Sequence, residues 1–244
     1  MVLKHWWQRV KNYYGAHRAA RTGYHPDRYV RQAMQQIQPL VPAEQPLSHP
    51  AMVFDLETTG LNTRYDKVIS IGAVQLQGPV IALNHSYYQL LNVDVDLSGD
   101  SQLIHGLTQA DLRMGAEPKQ ALVDFFHYSQ NHIWLAFHAE FDRRMLRNAT
   151  TQHLGWMVDP QPIDIAYLAA LLYPDQHHAQ AGLDYWLAQF QLPILARHNA
   201  AADALASAEL LLILLHKAQQ VGFKTWGELH QACLNYRQVQ RALA

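Results

Sequence analysis

Val53-Phe54-Asp55-Leu56-Glu57-Thr58-Thr59-Gly60 is the stretch from which the rest of this chain can be read. Its apolar front, beginning at Ala51, has the length of a short buried strand over residues 51–56, and Thr58-Thr59-Gly60 supplies a turn. Side chains two residues apart on a strand share a face, so Asp55 and Glu57 project together from the strand's end. Two carboxylates placed in this way repel each other and lose hydration, a cost that a cation between them removes. Donors that are all oxygen favour a hard ion, Mg²⁺ or Mn²⁺. A solvated strand end followed by an ordinary turn is the other reading of the same residues.

Two later segments carry related signals. Leu135-Ala136-Phe137-His138-Ala139-Glu140-Phe141-Asp142 again sets a carboxylate just after an apolar strand, here in the first turn of the next helix. Asp142 there is either a ligand or an acid that interacts favourably with the helix dipole. In His198-Asn199-Ala200-Ala201-Ala202-Asp203-Ala204-Leu205 the neighbours of Asp203 are nearly all Ala and Leu, an odd setting for an unpartnered charge. Five helical residues rotate by about 140°, so His198 and Asp203 face one way only if His198 lies on the loop ahead of the helix. With 15 histidines in the chain, an inert exposed loop histidine is the alternative.

Outward from these segments, residues 67–77 read as a second strand closed by Gly78-Pro79, and 80–91 as a third. The three follow closely enough to be antiparallel neighbours. Helices are then expected near 108–114 and over 118–130, a strand at 133–137, and a helix from Phe141. Residues 163–172, 183–190 and 200–219 are helical by periodicity, and Thr225-Trp226-Gly227-Glu228 is a capping box opening a final helix. Strands first, then strands alternating with helices, argue for an α/β domain with a mixed sheet.

Ahead of the first strand, Leu3, Trp6, Trp7, Val10 and Tyr14 form one helical stripe. A second helix begins near Pro26 and carries Tyr29, Val30, Ala33, Met34 and Ile37. Pro39, Pro42, Pro46 and Pro50 then make a linker that neither helix nor central strand tolerates. The expected division is therefore 1–48, a basic helical extension with a Pro-rich linker; 49–220, the main domain; and 221–244, a C-terminal helix. Residues 1–48 carry seven Lys or Arg against two acids, whereas the rest of the chain carries a net −6.

The 244 residues are 49% hydrophobic with only 12 Gly and 11 Pro, which excludes a collagen-like or generally disordered chain. The apolar stretch that includes 166–173 is far below the roughly 18 residues of a membrane span. Cys233 is the single cysteine, so neither a disulfide framework nor a Cys-based zinc site can form. The first nine residues lack the apolar core of a secretory signal, and with no serine before Ser48 they do not resemble a mitochondrial presequence; a cytoplasmic location is expected.

Taken together, the three acidic segments resemble the DEDDh, or DnaQ-like, exonucleases, the family that includes proofreading subunits, ribonuclease T and oligoribonuclease. The resemblance covers about residues 50–218, with all three motif blocks in order. Asp55 and Glu57 match the acids of the first motif, Asp142 that of the second, and His198 and Asp203 the His-x4-Asp of the third. Ile104-His105-Gly106-Leu107-Thr108 looks like the segment leading to the substrate pocket. Two departures stand out: His138 where the second motif often has Asn, and Ser70 where many members carry Glu.

The resemblance implies a ribonuclease H-like fold with a mixed five-stranded sheet. It also implies 3′→5′ hydrolysis of the terminal phosphodiester, releasing nucleoside monophosphates with two divalent ions, Mg²⁺ or Mn²⁺. Asp55 would bridge both ions, Glu57 and Asp203 would hold the one that binds water, and Asp142 would support the other. His198 would act as general base, a task suited to a side chain that changes charge near neutral pH. Thr58, Leu61, His105 and Phe141 match positions that grip the last nucleotides by stacking and apolar wedging, although core packing accounts equally well for Phe141.

Single-stranded DNA is favoured as substrate, because Asp203-Ala204-Leu205-Ala206-Ser207-Ala208-Glu209-Leu210 looks like the proofreading branch, with replication or repair as the setting. Trimming of RNA 3′ ends is the alternative. Two further classes are a metal-free binding module, against which the complete set of acids argues, and a partner subunit of a larger polymerase or repair complex. Trp6 and Trp7 beside several arginines would dock a protein, follow a nucleic-acid backbone, or fold down as a lid.

Overall fold

The computed structural model describes residues 43–95, 105–176, 181–193 and 197–243. The two helices expected before residue 43 lie outside the described residues, as does Ile104 of the substrate-pocket segment. The sheet is built around β1 (Ala51–Thr58), which pairs antiparallel with β2 (Val68–Gln77) and parallel with β5 (Ile133–Ala136). Beyond β5 lies β6 (Ile163–Asp164), also parallel. On the other edge of β2 run β3 (Val80–Ile81) and β4 (Tyr87–Leu90), both antiparallel.

The sheet thus has six strands rather than five, for two local reasons. Residues 80–91 do not form one strand. Ala82 donates to the Gln75 carbonyl, and a short 3-10 turn at Leu83–His85 lifts the chain away before it returns to β2 as β4. At 163–172 the first two residues pair with β5 as strand, and Asp164 caps the helix that follows by accepting from the Ala166 amide. So short an apolar run cannot be told from a buried helical turn by periodicity.

Seven described helices flank this sheet: α1 (Gln109–Arg113), α2 (Pro118–Tyr128), α3 (Ala139–Leu154), α4 (Ile165–Leu172), α5 (Leu183–Gln189), α6 (Ala200–Gln220) and α7 (Trp226–Leu243). Both faces of the sheet are covered. Met52, Phe54, Ile69 and Ile71 pack with Phe125, Phe126, Met145 and Leu146 of α2 and α3. Val53, Val74 and Leu135 pack with Leu205, Leu211, Trp186 and Trp226 on the other side. Burial of each such side chain contributes about 1.5–3 kcal/mol, and burial on both faces makes β1 and β2 read as continuous apolar runs. Alternation then settles the orientation of the polar residues. Asp55 and Glu57 share the parity of Val53, and Ser70 and Gly72 that of Val74, so all four belong to the face covered by α6.

Glycine is required at 72. A Cβ there would lie 2.1 Å from the carbonyl carbon of Ala200, so the bare backbone of β2 lets the first turn of α6 rest directly on the sheet. Ala200, Ala201 and Ala204 keep that side of the helix thin. The capping box at Thr225 forms as expected, with Thr225 Oγ1 accepting from the Glu228 amide and the Glu228 carboxylate from that of Thr225. The residues just before β1 are stitched to this helix start. Leu47 donates to the Lys224 carbonyl, Trp226 N–H to that of Gln45, and the Trp226 indole to that of His49. Gly227 is pressed against Ala43, whose carbonyl oxygen would lie 2.4 Å from an added Cβ.

Candidate active site

Three elements deliver four carboxylates to one end of the sheet. Asp55 and Glu57 come from the tail of β1, where the register against β2 shifts between Glu57 and Thr58. Directly opposite them on β2 stand Gly72 and Ser70. Over Gly72 sits the first turn of α6 with Asp203, which is buried. One carboxylate oxygen from each of Asp55, Glu57 and Asp203 lies within 4.8 Å of the others. Asp142, in the first turn of α3 and buried, stands one step back, its Oδ1 accepting from the Leu56 amide at 3.1 Å.

The electrostatics are those of a cluster short of positive charge. Burial, then Asp142, Asp203 and Glu57, push the Asp55 carboxyl well above the usual carboxylate range. Burial followed by repulsion from Asp203 raises Glu57 to about 8, with Arg197 partly offsetting the rise. Asp142 is raised chiefly by burial despite the Leu56 amide, and Asp203 by burial despite Arg197 and the His198 amide. An all-oxygen donor set with this much mutual repulsion fits a hard divalent cation. Among the described residues it is the one group of acids, histidines and cysteines whose ligand atoms converge in this way.

His198 lies on the turn before α6, exposed, with a left-handed backbone at φ 60°. Its amide donates to Asp203 Oδ2 at 3.1 Å. Asn199 caps α6 by accepting from the Ala202 amide, so the helix starts two residues after the histidine. The four residues expected to touch substrate differ in their settings. Leu61 is 86% exposed. Thr58 folds its hydroxyl back onto the Gly60 carbonyl at 2.7 Å. His105 is half-buried, with Nδ1 accepting from the Leu107 amide, and is pushed below its usual range by burial and then by His198. Phe141 is also half-buried and packs against the α2–α3 core, so that packing occupies part of its ring.

Three contributors escaped the sequence reading. Arg197 pairs with Asp203 Oδ1 and with Asp184 of α5, the latter at 2.5 Å. Gly72 gives no signal until the register of β2 against β1 is known. Tyr88 of β4, opposite Gly72, is raised to about 12 by burial and by Glu57, and its hydroxyl neighbours the side chains of Ser70 and Asn199. The departure from Glu at 70 thus coincides with a tyrosine in the space beside Glu57.

With this geometry in view, comparison with known proteins is decisive. Residues 52–211 match the RNase T family model, described as Exonuclease. The chain belongs to the RNase T exonuclease family. A DNA polymerase III PolC-type protein of Caldanaerobacter subterraneus subsp. tengcongensis is 27% identical over 183 residues, 75% of this chain and 13% of the relative. A DNA polymerase III subunit epsilon-like protein of Rhodobacter capsulatus is 29% identical over 178 residues, 72% of this chain and 25% of that one. The chain therefore spans between an eighth and a quarter of the length of these relatives.

Among solved structures, exonuclease X in complex with 5′ overhanging duplex DNA aligns with a TM-score of 0.59 at 21% identity, covering 75% of this chain and 99% of that one. The nuclease domain of 3′hExo, a DEDDh family member bound to rAMP, aligns with a TM-score of 0.58 at 15% identity over 72% of this chain and 94% of that one. These likenesses establish the ribonuclease H-like fold. The RNase T domain here is an exonuclease domain, and its acidic cluster offers divalent metal ions a place. No described helix is long and apolar enough to cross a membrane.

Proposed function

We propose that this chain removes nucleoside monophosphates one at a time from the 3′ end of single-stranded DNA. The observation that carries the reading is the convergence of Asp55, Glu57 and Asp203 within 4.8 Å, with Asp142 behind them and His198 on the turn above. Asp55 would be shared by two ions, Glu57 and Asp203 would hold one of them, and Asp142 would support the second. Lewis acidity is what Mg²⁺ or Mn²⁺ contributes there, neutralising charge at the phosphate and making water more acidic.

The protein's own residues do the rest. His198, exposed on its turn, accepts the proton of the attacking water. Exposed Leu61 wedges against the terminal base, His105 and Phe141 line the approach, and the backbone around Thr58 meets the last sugar. DNA is preferred because relatives at 27–29% identity are named for DNA polymerase III and exonuclease X was solved on DNA. We assign a partner protein of the replication or repair machinery to the basic residues 1–48, which lie outside the matched region.

The test is digestion of 5′-labelled single-stranded DNA and RNA of equal sequence, with Mg²⁺, with Mn²⁺ or with EDTA, beside Asp55→Ala. A ladder shortening from the 3′ end, faster on DNA and abolished by EDTA and by the substitution, is the expected result. Faster digestion of RNA moves the enzyme to RNA 3′-end trimming. No cleavage of either strand by folded, metal-supplied protein overturns the reading.

A further inference from the structure

The turn that carries His198 holds Asp203 by both of its oxygens. Arg197 takes Oδ1 and the His198 amide takes Oδ2. The same guanidinium reaches across to Asp184, which is exposed at the start of α5. Asp203 is also one of the three carboxylates within 4.8 Å of one another. A cation coordinated by that trio and the guanidinium of Arg197 therefore draw on one carboxylate, and as like charges a few ångströms apart they repel.

We propose that Arg197 is a resident counter-cation of the acidic cluster and a positioning residue for the His198 turn: it holds Asp203 until a divalent ion takes that carboxylate, and then remains tethered through Asp184. The inference rests on the reading that the cluster binds divalent ions.

Three features support it. Arg197 is ion-paired directly to one member of the trio, Asp203, and its charge acts on Asp55 and Glu57 as well. A planar fork that satisfies two carboxylates can let go of one without being released into solvent. Because Arg197 immediately precedes His198, any shift of its side chain from a two-point to a one-point anchor is felt at the histidine's backbone, which is already held in the left-handed region. Metal loading and the placement of the histidine thus become reciprocal effects of a single competition.

The experiment is direct titration of the full chain with Mn²⁺, free ion being followed by electron paramagnetic resonance, with no nucleic acid present. Wild type is compared with Arg197→Gln, Arg197→Ala and Arg197→Lys, folding being checked by circular dichroism. Arg197→Gln and Arg197→Ala are expected to bind Mn²⁺ about tenfold more tightly, as loss of a competing charge requires, and Arg197→Lys to fall between them and wild type. A merely structural role for Arg197 would loosen the site, so equal or weaker binding in the two neutral variants overturns the proposal. Failure of wild type itself to bind Mn²⁺ would instead overturn the metal reading of the cluster.

Discussion

His138 and His198 each precede a helix with left-handed backbone, at φ 55° and 60°, and each helix brings one buried aspartate to the same cluster. The two arrivals are secured differently. Asp142 is tied to the sheet itself, through the amide of Leu56 on β1. Asp203 is tied to its own preceding turn, through Arg197 and the His198 amide, and Arg197 has a second partner in Asp184. One half of the cluster is scaffold, and the other is held by groups that have somewhere else to go. On the proposed function, an active site built this way would keep a fixed reference carboxylate while the side bearing its histidine adjusts.

Gly72→Ala attacks the adjustable side at its foundation. The added Cβ would meet backbone atoms of Ala200 and Ala201 at 2.1–2.3 Å, so α6 must lift off β2. A loss of about 3 kcal/mol in urea unfolding is expected, with loss of Mn²⁺ binding. An unchanged midpoint would mean that the close approach does not set the position of α6.

A smaller effect separates charge from scaffold. In EDTA, Glu57 is protonated up to about 8 in the folded chain against 4.5 for the ordinary side chain, so folding favours the proton. Its contribution to stability is fully present below about 4.5 and is lost as pH rises through about 8. Unfolding midpoints measured across that window should fall with pH, and Glu57→Gln should flatten the slope. A slope that persists in the variant would assign it to the aspartates alone.

The smallest pair of changes compares the two helix starts directly. Asn199→Ala removes the side-chain cap of α6 and should cost about 1 kcal/mol, measured by thermal unfolding. His138 caps nothing with its side chain, so His138→Gly at φ 55° should instead raise stability by about 0.5–1 kcal/mol. Equal losses in both would erase the distinction between the two starts.

The site was legible in the sequence where chemistry and period coincide. Asp55 and Glu57 announce themselves through the two-residue repeat, Asp142 through its place after a strand, and Asp203 as a charge among alanines. What was not legible depends on pairing between distant segments. Arg197 meets Asp184 thirteen residues earlier, a pairing that no local pattern encodes. Gly72 matters only because it faces Asp55 in the ladder and Ala200 across the layer. The break at Leu83–His85 and the strand at Ile163–Asp164 are too short for any period to register.

The seam that joins residues 45–49 to residues 224–226 has a consequence for how this chain is made. Its hydrogen bonds span nearly the whole domain, the Trp226 indole reaching back 177 residues to His49. On a ribosome this strap emerges ahead of the domain and waits, its carbonyls and the slot for Trp226 unfilled, until the start of α7 has been synthesised. Closing so long a loop is slow compared with pairing neighbours, so the sheet and its acidic end assemble before the strap is locked. The seam is the clasp of this domain, and a chain interrupted before residue 226 would carry a nearly complete acidic end with its clasp open.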